Sequence, residues 1–172
     1  MAKEKANRKR CVQVKFRLTP EENAVLQKDV KDSGLSKNDY IIKTIINRVG
    51  LSVLSCERKY CGNSVDIHFM LANKRICYAS CLFFRNIKKV QVSCFYVIKP
   101  FQDIGVEEKL LQEIEDFADM NQAESIVAYP GAEPYCPTEW KSIDTQTAWY
   151  ETNGFAIDHM IYGTTPCMVK QL

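Results

Sequence analysis

At 172 residues, 46% of them hydrophobic, and with a net charge of +2, the chain is long enough to bury the core of one or two small domains. Its apolar runs all fall short of the ~20 residues that cross a bilayer. The basic opening Lys3, Lys5, Arg8, Lys9 and Arg10 is followed by no apolar segment of the kind that marks export. A cytoplasmic protein with no membrane partner is expected, and with it reduced thiols.

The charge is uneven along the chain. Residues 1–50 hold twelve Lys/Arg against six Asp/Glu, and residues 51–172 hold eleven against fifteen. A basic head on an acidic body predicts two jobs, divided as 1–50 and 51–172. Eight cysteines are present, but Cys77, Cys81 and Cys94 lie in apolar strand-like runs, where a free cysteine behaves as a small hydrophobe. Cys56 with Cys61, and Cys77 with Cys81, lack the C-x-x-C spacing of a zinc site. His68 and His159 stand alone in the sequence, so no metal is expected.

In the head, residues 11–18 alternate, with Val12, Val14, Phe16 and Leu18 on one side and Gln13, Lys15 and Arg17 on the other. Thr19-Pro20-Glu21-Glu22 then gives a helix cap, a proline at the first helical position and a glutamate three residues after the cap. That helix should stop at Gly34. Ser36-Lys37-Asn38-Asp39 opens a second helix, with Tyr40, Ile41, Ile45 and Val49 as its apolar stripe.

The segments VKFRLTPEE and GLSKNDYI resemble the ribbon-helix-helix DNA-binding family. A lone strand needs a second copy to make a two-stranded ribbon, so the resemblance implies a homodimer whose ribbon enters the major groove. It implies that Gln13, Lys15 and Arg17 face base edges, and that Ser36, Lys37 and Asn38 at the second helix start grip a phosphate. The basic tail would add attraction blind to sequence. A competing reading makes residues 11–49 the strand–helix–helix opening of the body's own fold. Residues 51–57 favour a separate head, because they can supply a shortened first strand for the body.

In the body, Val65–Ala72 and Arg75–Phe84 read as a hairpin and Lys89–Ile98 as the next strand. Val106–Asn121 reads as an amphipathic helix, Ser125–Tyr129 as a strand and Thr145–Thr152 as a helix. Phe155–Ile161 with Cys167–Lys170 closes the chain as a strand pair. The junction around Gly105 combines strand, tight turn and helix start. Unpaired helix amides and the helix dipole favour an anion there.

Gln102-Asp103-Ile104-Gly105 resembles the Gln/Arg-x-x-Gly-x-Gly/Ala loop of the GCN5-related N-acetyltransferases (GNAT), and Tyr150 ahead of Gly154-Phe155 resembles that family's second signature. The resemblance implies an α/β (α+β) fold, a mixed central sheet flanked by helices. It also implies acetyl-CoA as co-substrate, transferred directly to an amine of unknown class. Tyr96, Val97 and Ile98 would offer backbone groups to the pantetheine arm. Amides of Gln102, Asp103, Ile104, Gly105, Val106 and Glu107 would take the pyrophosphate, and Tyr150 would protonate the leaving thiolate.

For Tyr150 the competing reading is an aromatic that packs its helix on the sheet. One departure stands out: Glu107 occupies the family's second small position, where a carboxylate repels a pyrophosphate. Either it turns away or the loop binds coenzyme A weakly. No general base is assignable; Glu139 and Asp144 are polar residues of the preceding loop, and Tyr129–Pro137 is a loop of the kind that lines acceptor pockets. Two functions remain. One is an acetyl-CoA-dependent N-acetyltransferase with a DNA-binding head, and the other is a transcriptional or mobilisation-type DNA-binding regulator with an inactive body.

Overall fold

A computed structural model describes residues 17–71, 73–131 and 141–172, leaving aside the side chain of Val49. The chain separates into two compact units between Tyr40 and Ile41.

The first unit contains helix α1 (Pro20–Ser33) and the start of α2 (Lys37–Val49). The cap forms as the sequence predicts. Glu22 N–H donates to Thr19 Oγ1 at 3.2 Å and Thr19 N–H to Glu22 Oε2 at 2.8 Å. Gly34 ends the helix at φ 64°, its N–H bonding back to Lys31 O. None of the α1 side chains is buried. Ser36 Oγ accepts from Asp39 N–H at 3.2 Å and starts α2. The expected strand 11–18 lies outside the described residues except for Arg17 and Leu18, which are exposed and irregular.

The second unit is a mixed sheet of strands β1 (Ser55–Cys61), β2 (Ser64–Leu71), β3 (Lys74–Phe84), β4 (Lys89–Val97), β5 (Ser125–Ala128), β6 (Ala156–Ile161) and β7 (Thr165–Gln171). The spatial order is β1-β2-β3-β4-β5-β7-β6. The first four strands form an antiparallel meander, β4 and β5 are parallel, and β5-β7-β6 is antiparallel again. Helix α3 (Val106–Met120) supplies the crossover that a parallel pair requires, and α4 (Ile143–Thr152) joins β5 to β6.

Alternation decides which sheet face is covered. Val65, Ile67 and Phe69 of β2, Ala79 and Cys81 of β3, and Val90 and Val92 of β4 are buried and share one core with Leu110, Ile114 and Ala118 of α3. A bulge at Ser93, between the pairs Cys81–Val92 and Ser80–Cys94, shifts the phase, so Phe95 and Val97 continue the buried row. Within this unit Ile46 of α2 is also buried in that core. The opposite face is half-exposed, with His68 stacked on Tyr78 at 5.1 Å between ring centroids.

One expected element differs. Residues 51–53 form a 3₁₀ turn, and the first strand runs from Ser55 to Cys61 instead of spanning 51–57. Its side chains are mostly polar and exposed; backbone pairing to β2 across a tight Gly62-Asn63 turn, Cys56 against the core and the Arg58–Glu113 ion pair to α3 hold it, with no apolar alternation to announce it. The described cysteines are free thiols.

Candidate functional site

Strands β4 and β5 pair at only three positions, Lys89–Ser125, Val90–Ile126 and Gln91–Val127. Beyond them β4 continues to Val97 while β5 ends at Ala128, engaged by β7 on its other side. The two strands therefore part at their C-terminal ends. In an open α/β sheet such a parting is where ligands enter.

The turn ahead of α3 lies at the end of β4. A 3₁₀ turn, Lys99–Phe101, leads into Gln102, whose side-chain Nε2 donates to Val97 O at 2.7 Å. Lys43 Nζ donates to Gln102 O at 3.3 Å. Asp103 and Gly105 both adopt positive φ, 60° and 87°, and this tight reversal turns the Asp103 amide inward. At Gly105 a side chain would be strained in that conformation whatever the space around it.

The anion on that amide is the protein's own. Asp103 N–H donates to Glu107 Oε1 at 3.0 Å and Oε2 at 3.3 Å, and Glu107 is only 1% exposed. Glu107 thus turns into the loop. Lys141 Nζ lies 3.6 Å from Glu107 Oε1 and 2.6 Å from Asp103 Oδ1, completing a small charge network. Burial raises the Glu107 pKa above its ordinary value, while hydrogen bonds from its own amide and that of Asp103, together with Lys141, act against the rise.

Tyr150 is 0% exposed. Its ring meets Phe155 edge-on at 4.9 Å between centroids, Trp149 at 5.1 Å, and Phe95 of β4 at 6.1 Å. It therefore borders the strand that parts from β5 and also packs its helix on the sheet. The adjacent Trp149 Nε1 donates to Glu108 Oε1 at 3.2 Å, tying α4 to α3. Tyr96 is half-buried beside Tyr78, whereas Val97 and Val106 are buried. Ile98 and Ile104 pack against the core. The structure thus gathers the residues proposed for coenzyme A at one end of the sheet.

In the first unit, Gln13 and Lys15 lie outside the described residues. Arg17 is exposed, and Ser36, Lys37 and Asn38 stand at the start of α2. Lys37 Nζ donates to Asn23 Oδ1 at 3.4 Å, and Ser36 Oγ to Asp39 Oδ2 at 2.7 Å. Glu139 and residues 132–137 of the proline-rich loop also lie outside the described residues.

Sequence reading missed a second constellation. Asp158, His159 and Cys167 each present one ligand-type atom, all within 4.8 Å of one another. His159 and Cys167 are cross-strand partners in the β6–β7 hairpin. Counting four residues outward from Gly163 in each direction reaches both, so a hairpin centred there would have found the pair. The sequence motifs considered for metals look only along the chain, and this pairing runs across it.

Residues 8–55 match the family described as NikA-like, mobilization protein NikA. No curated protein sequence matches the chain. Among solved structures it is similar to a GNAT family acetyltransferase from Elizabethkingia anophelis with acetyl-CoA bound, at TM-score 0.55 and 12% identity over 70% of this chain and 99% of that one. It is similar to an IAA acetyltransferase from Bacillus cereus, at TM-score 0.54 and 14% identity over 69% and 99% of the two chains. A PaiA N-acetyltransferase from Thermoplasma acidophilum in complex with coenzyme A matches at TM-score 0.52 and 12% identity, over 90% and 80%. At these identities the likeness is one of fold: the body has the GNAT fold.

Proposed function

We propose that the chain is an acetyl-CoA-dependent N-acetyltransferase carrying a DNA-binding segment of the mobilisation-protein type. The observation that carries the enzymatic half is the parting of β4 from β5, with the turn ahead of α3 and the Tyr150 ring both bordering the same end of β4. The acetyl donor would lie along β4, with its diphosphate at the Gln102–Glu107 amides. A neutral amine would attack the thioester carbonyl, forming the C–N bond as the C–S bond breaks; the nitrogen gives up a proton to water, and the departing thiolate takes one, for which Tyr150 is the candidate acid. Before the diphosphate settles on the Asp103 amide, the Glu107 side chain has to leave it.

Support for the DNA-binding half is the match of residues 8–55 and the basic balance of the head. Helix α1 buries no side chain, which suits a unit completed by a second copy, so a homodimer is part of this proposal. The second reading, a DNA-binding regulator with an inactive body, is favoured by Glu107 itself. A buried carboxylate on the loop amide is a substitute for the ligand.

Calorimetric titration with acetyl-CoA separates the two. Heat from the parent chain, enhanced in Glu107→Ala and lost in Gly105→Glu, is expected for the enzyme. Heat only from Glu107→Ala assigns the regulator reading, and silence from both removes the donor site from the protein. In the enzyme case, Tyr150→Phe should lower kcat and leave donor affinity unchanged.

A further inference from the structure

We propose that Asp158, His159 and Cys167 form a binding site for a zinc-class divalent transition metal on the β6–β7 hairpin, independent of the acetyl donor. Regular strand geometry would send Asp158 and His159 to opposite faces. Between the pairs Ile157–Met168 and His159–Cys167 the register slips, leaving Asp158 without a cross-strand partner. Such a bulge re-aims side chains, and two successive residues then oppose one on the next strand. Here the slip brings a carboxylate, an imidazole and a thiol within 4.8 Å of one another.

The donor set selects the metal. Thiolate sulfur with imidazole nitrogen suits zinc-class ions and is a poor set for magnesium or calcium, and a single carboxylate completes three ligands. Tetrahedral zinc needs bonds of ~2.0–2.3 Å, so the three side chains have to close around the ion from their present spacing. Two of the three side chains, Asp158 and His159, are exposed and free to do so, while Cys167 is 3% exposed and anchors the floor. His159 Nδ1 already lies 2.9 Å from Asp158 Oδ2, so the pair is held together before any ion arrives.

The three side chains line a cavity of about 220 Å³ together with Tyr129, Lys89, Gln91 and Phe84 among others. Tyr129, just past the end of β5, lines the same cavity as Cys167 and brings one more oxygen to it. Among the described residues, Lys89 is the one lysine lining this cavity, and its charge opposes the cation. On binding, the thiol proton leaves to solvent and the sulfur–metal bond replaces it.

Cobalt(II) titration of the full chain, followed by visible absorption and by zinc competition against a chromophoric chelator, tests the site. One equivalent should bind with a thiolate-to-cobalt band and tetrahedral ligand-field intensity. His159→Ala, which removes no thiol and alters an exposed side chain, should weaken binding at least tenfold with its thermal midpoint unchanged. Asp158→Asn should weaken it by a smaller factor. Cys167→Ser should abolish the charge-transfer band. Equal binding by the parent and His159→Ala overturns the proposal even where Cys167→Ser fails to fold, because the other cysteines would then be holding the metal. A parent chain that takes up no cobalt overturns it outright.

Discussion

The carboxylate of Glu107 accepts from the Asp103 amide at 3.0 Å and faces Lys141 at 3.6 Å, yet it is almost wholly removed from water. Burial is the largest influence and raises the pKa above the ordinary 4.5. The folded chain therefore holds this proton more tightly than the unfolded chain does. Its contribution is most favourable below 4.5, where both states are protonated, and declines as pH rises through the folded value. Glu107→Gln keeps an acceptor for the amide and removes the titration. Thermal midpoints measured from about pH 4 to pH 8 should show the parent losing ground to the variant as pH rises. Parallel curves would contradict this. The conflict between Glu107 and an anion was legible from its position two residues after Gly105. Its inward turn was not, because it depends on the positive φ of Asp103 and on Lys141 arriving from a distant loop.

Helix α3 links the turn to the sheet, and its inner face carries Leu110, Ile114 and Phe117 into the core shared with β2 to β5. Truncating a fully buried leucine removes transfer energy and leaves a cavity. Leu110→Ala should destabilise the body by about 2–5 kcal/mol, read from urea unfolding. A loss below ~1 kcal/mol would mean that this helix is peripheral to the core. The same periodicity that predicts this cost made α3 readable in the sequence. α1 was readable from its cap residues. β1 was missed in part because Arg58 and Lys59 give no alternation, and Arg58 finds its partner, Glu113, on α3. The Asp158 bulge was illegible for a similar reason: register is set by the partner strand.

The two units divide the charge between them much as the sequence does, and the nucleic-acid proposal belongs to the molecule as a whole. Lys15→Ala with Arg17→Ala should remove retention on a DNA fragment selected by the parent while the body's unfolding transition stays in place. Affinity for arbitrary DNA should keep most of its salt dependence, because these two side chains are read as facing bases and the phosphate contacts lie elsewhere. Retention equal to the parent would rule out this ribbon. At this scale the fold was legible. The sequence placed the separation at residue 50, whereas the structure divides the chain at Tyr40–Ile41, inside α2, and Ile46 belongs to the core of the second unit.

The slip at Asp158 has an effect beyond the cluster it assembles. β6 is an outer strand of the sheet, and Ile157 and Met160 stand about half-exposed along it, with Tyr162 98% exposed at its tip. A straight row of unsatisfied amides and carbonyls beside such side chains would recruit neighbouring molecules into continuous cross-chain ladders. One extra residue interrupts that row and increases the local twist, so the border of the sheet offers no long template for growth.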